Sequence, residues 1–189
     1  MKKINLLLAI GMLSMVFLNS CKKDEMEDPI IPNEEEVITT LNFTLVPDGG
    51  GTPVVFSFQD LDGDGGNLPT ITGGILDTNA SYTCSLELLN ELESPAGNIT
   101  EEVEAEALDH QFFFQTTASG IDIAYDDVDS NGNPIGLSTI LTTTIASSGE
   151  ITVILRHEPN KNASGVSAGN ILNAGGETDI EVVFNVDVQ

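Results

Sequence analysis

The sequence has no tryptophan, two tyrosines and two cysteines, and six of its 189 residues are basic. Each shortage excludes something. Sugar platforms are built from exposed aromatic faces, and the phenylalanines here mostly fall on inward positions of alternating runs, so no residues can be named for one. Cys21 is assigned below to an anchor, which leaves Cys84 alone and rules out an intrachain disulfide. In "SYTCSLELL", Cys84 shares a strand face with Tyr82, Leu86 and Leu88, the setting of a small buried hydrophobe. No base adjoins it, as a reactive thiol requires. Neither a G-x-S-x-G elbow nor an H-E-x-x-H pair occurs. Among 30 acidic residues some pair falls at glycosidase spacing by chance, so no enzyme is expected.

Positive charge is the largest deficit. No Lys or Arg lies between Lys23 and Arg156. With residues 1–20 removed, Lys22, Lys23, Arg156 and Lys161 face all 30 acidic residues, a formal charge of −26. Such a polyanion is repelled by nucleic acid and anionic lipid heads and attracts divalent cations. Folding must crowd carboxylates together with few ion pairs to relieve them.

The N-terminus has the order of a secretory signal: Lys2 and Lys3, the apolar run "INLLLAIGMLSMVFL", then "LNSC". "LNSC" resembles a bacterial lipobox, which implies acylation of Cys21 as the new N-terminus. Residues 21–36 carry charge, two prolines and no periodicity, and read as an acidic tether. Extended, the tether spans up to about 50 Å. Its start, "CKKDE", resembles the surface-export signal of Bacteroidetes-type lipoproteins, which implies an outer-membrane lipoprotein displayed at the cell surface. The expected organisation is a signal peptide at 1–20, the lipidated Cys21 and tether at 21–36, and one domain at 37–189.

In that domain period-two alternation dominates. It sets Leu41, Phe43 and Leu45 on one face, and likewise Val54, Phe56 and Phe58; Phe112 and Phe114; Ile121, Ile123 and Tyr125; Ile151, Val153 and Leu155. The longest run carries Ile180, Val182, Phe184, Val186 and Val188. Turn signals separate the runs. About nine strands fit, predicting an all-β, antiparallel β-sandwich, Ig-like or related. "NITEEVEAEALD" reads either as a helix with Asn98 and Glu101 in a capping box or as an acidic loop. A strand, aspartate-loop, strand, turn, strand pattern recurs from Val54 and from Gly120. Either two duplicated four-strand halves or the monotony of β proteins explains it.

Two loops carry oxygen ligands at alternate positions. Asp60, Asp62 and Asp64 precede Gly65, and Asp127, Asp129 and Asn131 precede Gly132. When a loop curls, such side chains converge, and hard oxygens select calcium. These are not EF-hands, because the twelfth positions are Ile71 and Ser138 where a bidentate glutamate is needed. Calcium loops between strands is one reading; good turn formers at a turn is the other.

His110, beside Asp109, opens one predicted strand, and His157, beside Glu158, closes another. Were those ends neighbours, the imidazoles and carboxylates would suit zinc or copper; otherwise they are two unrelated surface histidines. "QDLDGDGGN", "DHQFFFQ", "LRHEPNK" and "GGETDIEV" together resemble a group of small Bacteroidetes lipoproteins labelled a type 1 periplasmic binding fold superfamily. That label implies alternating strands and helices. The chain departs from it, lacking the amphipathic helices such a fold requires. The sequence thus predicts a lipid-anchored, non-enzymatic lipoprotein that binds a ligand or partner, an outer-membrane transporter being one candidate, with calcium bracing the aspartate loops. The alternative is a zinc- or copper-binding accessory lipoprotein using His110 and His157, and a surface hydrolase ranks last.

Overall fold

Apolar alternation becomes strand in every run where it was read. The computed structural model describes residues 36–63 and 66–189. The expected signal segment, Cys21 and the tether up to residue 35 lie outside the described residues, as do Asp64 and Gly65. Glu36, the first described residue, lies in the same compact unit as the strands.

The strands are β1 (Thr40–Pro47), β2 (Val54–Gln59), β3 (Thr70–Thr72), β4 (Gly74–Leu76), β5 (Ser81–Asn90), β6 (Gly97–Asn98), β7 (His110–Thr116), β8 (Ile121–Tyr125), β9 (Ser138–Thr143), β10 (Ser147–His157) and β11 (Glu177–Val188). The helix α1 spans Ile99–Ala105. One sheet has the order β3-β2-β1-β5-β9-β8, with β6 paired to β5; the other is β4-β11-β10-β7. All pairs are antiparallel except β4 with β11. The architecture is an all-β sandwich of eleven strands, with β3, β4 and β6 too short to show in the sequence pattern.

Strand alternation builds the core. Leu41, Phe43 and Leu45 of β1 and Tyr82, Cys84 and Leu88 of β5 face Ile151, Val153 and Leu155 of β10 and Val182, Phe184 and Val186 of β11. Phe56 bridges the sheets, its ring 6.2 Å from Phe43 edge-on and 5.7 Å from Phe184. Burial lifts the Cys84 thiol to about 11, which makes it inert at neutral pH.

Two expectations change. Phe113, on the outward parity of β7, is fully buried. The segment after β10 folds back over the four-stranded sheet and covers it with Val166 and Ala174 against Phe113 and Ile154, held by Gln111 Nε2 donating to the Val166 carbonyl at 3.0 Å. The helix forms, but without its capping box: the Asn98 side chain makes no cap bond and donates instead to Glu101 at 2.9 Å.

The two similar halves do not take equivalent places. β2 and β8 both lie in the larger sheet, whereas β5 lies in the larger and β10 in the smaller. Their aspartate loops nevertheless leave at one end. β2 finishes opposite the start of β1, which pairs with Leu89, and β8 finishes on Thr139, which pairs with Cys84 ahead of the loop bonded to Leu86.

Neighbouring residues on β11 test which face carries the stability. Phe184→Ala should cost about 3–5 kcal/mol and Val183→Ala, at 41% exposure, within about 0.5 kcal/mol, read from urea unfolding midpoints.

Candidate metal centre

His110 is the first residue of β7 and His157 the last of β10, and the antiparallel register sets them directly opposite. Both share the parity of core residues, His110 with Phe112 and Phe114, His157 with Val153 and Leu155. Alternation therefore turns both imidazoles into the sandwich at one end. Their rings stack with centroids 4.8 Å apart and planes 13° from parallel. His110 is fully buried and His157 is 7% exposed.

The chain around them fixes the geometry. His110 Nδ1 lies 3.2 Å from the Glu106 carbonyl after α1. A carbonyl only accepts, so Nδ1 carries a proton, and a ring with that single proton presents its lone pair at Nε2. A metal-ligating histidine is oriented in this way. The acids beside the histidines act through their backbones: Glu158 N–H donates to the Asp109 carbonyl at 2.6 Å and extends the ladder. Gly176 is pressed onto the His157 carbonyl, where a Cβ would sit 2.1 Å away. This explains one glycine of "GGETDIEV".

Two carboxylates that sequence reasoning missed complete the cluster. Glu36 comes from the segment before β1, which is tied to the larger sheet by Thr39 N–H to the Leu89 carbonyl at 3.0 Å and Glu91 N–H to Thr39 Oγ1 at 2.8 Å. Its Oε1 lies 3.0 Å from His110 Nε2, with the side chain 6% exposed. Asp179 comes from β11, and its buried Oδ2 is 3.8 Å from the same nitrogen. Despite the 3.0 Å approach, His110 Nε2 has no hydrogen-bond partner among the described residues, and neither does buried Glu36 Oε2. Ligand atoms of Glu36, His110 and His157 all lie within 4.8 Å of one another. Two imidazole nitrogens and a carboxylate oxygen brought together in a buried site form a donor set for a borderline-soft divalent metal.

The aspartate loops are built differently. In the first, Asp60 Oδ1 accepts from the backbone of Asp62 and Gly63 at 3.2 and 2.9 Å, and Asp62 Oδ2 accepts from the backbone and side chain of Asn67 at 3.0 and 2.7 Å. The Asn67 bonds hold the Asp62 carboxyl below its usual range. Asp64 lies outside the described residues. In the second, both Asp127 oxygens are taken by the N–H groups of Gly136 and Ser138 at 2.7 and 2.9 Å. Asp129 Oδ1 accepts from the N–H groups of Asn131 and Asn133 at 2.8 and 3.0 Å. Its Oδ2 meets a cation, but the cation is Lys161, whose Nζ donates at 3.0 Å and also to the carbonyls of Ala107 and Pro134 at 2.5 and 3.1 Å. Asp127 and Asp129 thus turn to different partners instead of converging on one point. An ammonium group stands where calcium was expected. Burial pushes the Asp129 carboxyl up, but the Lys161 bond, the two N–H donors and the lysine charge outweigh it and hold it below 3.8.

No protein-family model matches the chain, and no curated protein matches it either. Among solved structures, domains 4 and 5 of the S-layer protein SbsC align over 78% of this chain and 75% of that one, at 14% identity and a TM-score of 0.24. A likeness that weak carries no conclusion about fold or function.

Lys161 joins the loops that precede His110 and follow His157, and among the described residues its charge is matched by Asp129. Lys161→Met leaves that carboxylate buried and unpaired and should cost about 3–5 kcal/mol at pH 7. The native pair contributes above the ordinary carboxyl value of 3.8 and is lost as pH falls through the depressed one. The gap between wild type and variant should therefore narrow below about pH 4, as measured by urea unfolding across pH.

Proposed function

We propose that this protein is a lipid-anchored, non-enzymatic lipoprotein of the outer membrane, surface-displayed, that holds a divalent transition metal in an accessory role to a partner such as a transporter. The observation that carries this reading is the meeting of His110, His157 and Glu36 in one buried cluster whose ligand atoms lie within 4.8 Å of one another. The sequence ranked this reading second, behind calcium-braced ligand binding. The geometry favours the reverse order, because imidazole suits zinc and copper while calcium takes six to eight oxygens.

The chemistry of the set also favours holding over turnover. His110 and His157 are fixed by strand pairing, and the ring orientation of His110 is set by a backbone carbonyl. Close by, a groove of about 350 Å³ is lined by Val37 and Ile180, each next in sequence to a carboxylate of the cluster. Anchoring at Cys21 would place this end within a tether's length of the membrane and of any transporter there. Calcium bracing is kept as a proposal for the first aspartate loop alone.

Two titrations of the soluble domain, residues 22–189, separate these readings. Zinc should raise the melting temperature, and His110→Ala or His157→Ala should abolish the rise; zinc binding unchanged by both substitutions would remove the histidine site. Millimolar calcium should raise it only through the first loop, so that Asp62→Ala removes the effect and Asp129→Asn does not. No calcium effect in the unmutated domain ends the calcium proposal.

A further inference from the structure

The groove lined by Val37 and Ile180 combines apolar walls with acidic neighbours. Its volume is about 350 Å³, at the small end of sites that take small molecules, roughly 300–1,000 Å³. Four separate segments wall it. Val37 and Ile38 come from the stretch before β1, Phe58 and Leu61 from the end of β2 and the loop after it, Leu92 from the loop after β5, and Ile180 from β11. Val37, Leu61 and Leu92 are 54, 48 and 63% exposed. Three large apolar side chains from three segments thus meet at one depression and still face water. Contiguous exposed apolar surface marks binding sites, whereas single exposed residues need no explanation.

The walls are fixed before anything binds. Buried Thr39 ties three of them together. Its Oγ1 donates to the Leu89 carbonyl at 3.1 Å and accepts from the Glu91 N–H at 2.8 Å, and its own carbonyl accepts from the Asp60 N–H at 2.8 Å. A concave site held in this way loses little conformational freedom on binding.

Charge selects the occupant. Asp60 and Asp62 also line the groove, and the Asn67 bonds keep Asp62 ionised. Glu91 and Glu93, both exposed, flank Leu92 in sequence. No Lys or Arg lines the groove. Among the described residues Lys161 is bound to Asp129, and Arg156 donates to the Gly176 carbonyl. Apolar walls beside charges of one sign focus the potential into the depression, and here that potential is negative.

We infer that this groove binds a small apolar cation, a molecule with an alkyl or aryl body and one ammonium or guanidinium group. The body lies against Phe58, Leu61 and Leu92, and the positive group stands beside Asp60 and Asp62. A carboxylate-headed molecule of the same shape meets like charge. A neutral one gains nothing from the aspartates, and a bare metal ion gains nothing from the apolar walls. The inference does not rest on the metal reading, since neither histidine nor Glu36 lines the groove.

Octylammonium, octanol and octanoate share one apolar body and differ in charge. Titrating each into the soluble domain at pH 7, with EGTA present to keep calcium from the first aspartate loop, and following amide NMR shifts tests the proposal. Octylammonium should move the amides of Val37, Leu61, Leu92 and Ile180 saturably, with octanol weaker by roughly fivefold and octanoate weaker still. Asp60→Asn together with Asp62→Asn should lower octylammonium to the octanol affinity and leave octanol unchanged. Leu61→Ala together with Leu92→Ala, both at exposed positions, should weaken octylammonium roughly tenfold. His110→Ala should not alter its binding, so this site and the metal site stand or fall separately. Octanoate binding as tightly as octylammonium, shifts confined to other residues, or no saturable shift would overturn the proposal. A lysine-bearing apolar peptide that moves these amides where octylammonium does not would overturn it in favour of a protein partner. Groove amides that move on diluting the domain alone would overturn it in favour of a second copy. The ranking of the three probes on the wild-type domain decides even if a variant fails to fold.

Discussion

The register between β7 and β10 is the constraint on which the rest depends. Phe112 and Phe114 sit opposite Leu155 and Val153, so burial of these apolar residues fixes which positions of the two strands face each other. The same register puts His110 against His157. A slip of one residue would send a whole strand face outward and set Arg156 where His157 now stands. The hydrophobic effect thus positions the imidazoles at no further conformational cost, because strands already ordered for the core carry them. The ends of the pair are closed by backbone contacts from Asp109 and Glu158 and by the close approach of Gly176.

Charge is the second organising force. A chain with 30 acidic and six basic residues cannot neutralise most of its carboxylates with its own cations, and the described residues place them mainly on backbone N–H groups. Exposed carboxylates such as Asp60 and Asp62 accept backbone N–H groups in turns. Asp127 pins the loop before β9 with both oxygens. Asp129 is matched by Lys161, which lies far along the chain and reaches two other loops at once. Glu36 lies beside the histidines, its Oε1 3.0 Å from His110 Nε2, and a buried carboxylate next to imidazoles is a donor set that suits a divalent transition metal.

Much of this was legible in the residues, and the rest was hidden for identifiable reasons. Alternation gave the sandwich because one face of each sheet is buried and the signal is periodic. It failed for Phe113, since a returning loop covers the second face of β7 and only tertiary structure places that loop. The histidines were visible as candidates by type and by position at strand ends, but their pairing needed the strand order. Glu36 was hidden because it ends the acidic run "NEEE", where composition reads as tether. Asp179 was hidden because the register of β11 shifts there, Leu155 pairing with Ile180 and Arg156 with Thr178, and nothing in "ETDIEV" marks the extra residue. The spacing D-x-D-x-N-G suits both a calcium loop and a turn, and nothing in it marks the lysine 32 residues on that Asp129 meets.

The central claim is that one end of the sandwich, formed by three adjacent strands and the segment before β1, is a metal centre. Anomalous scattering from crystals of the domain grown with zinc, recorded on both sides of the zinc edge, tests it most directly. The account predicts one strong peak among His110 Nε2, His157 and Glu36. A peak confined to the aspartate loops, or none at the histidine end in zinc-saturated crystals, would contradict it.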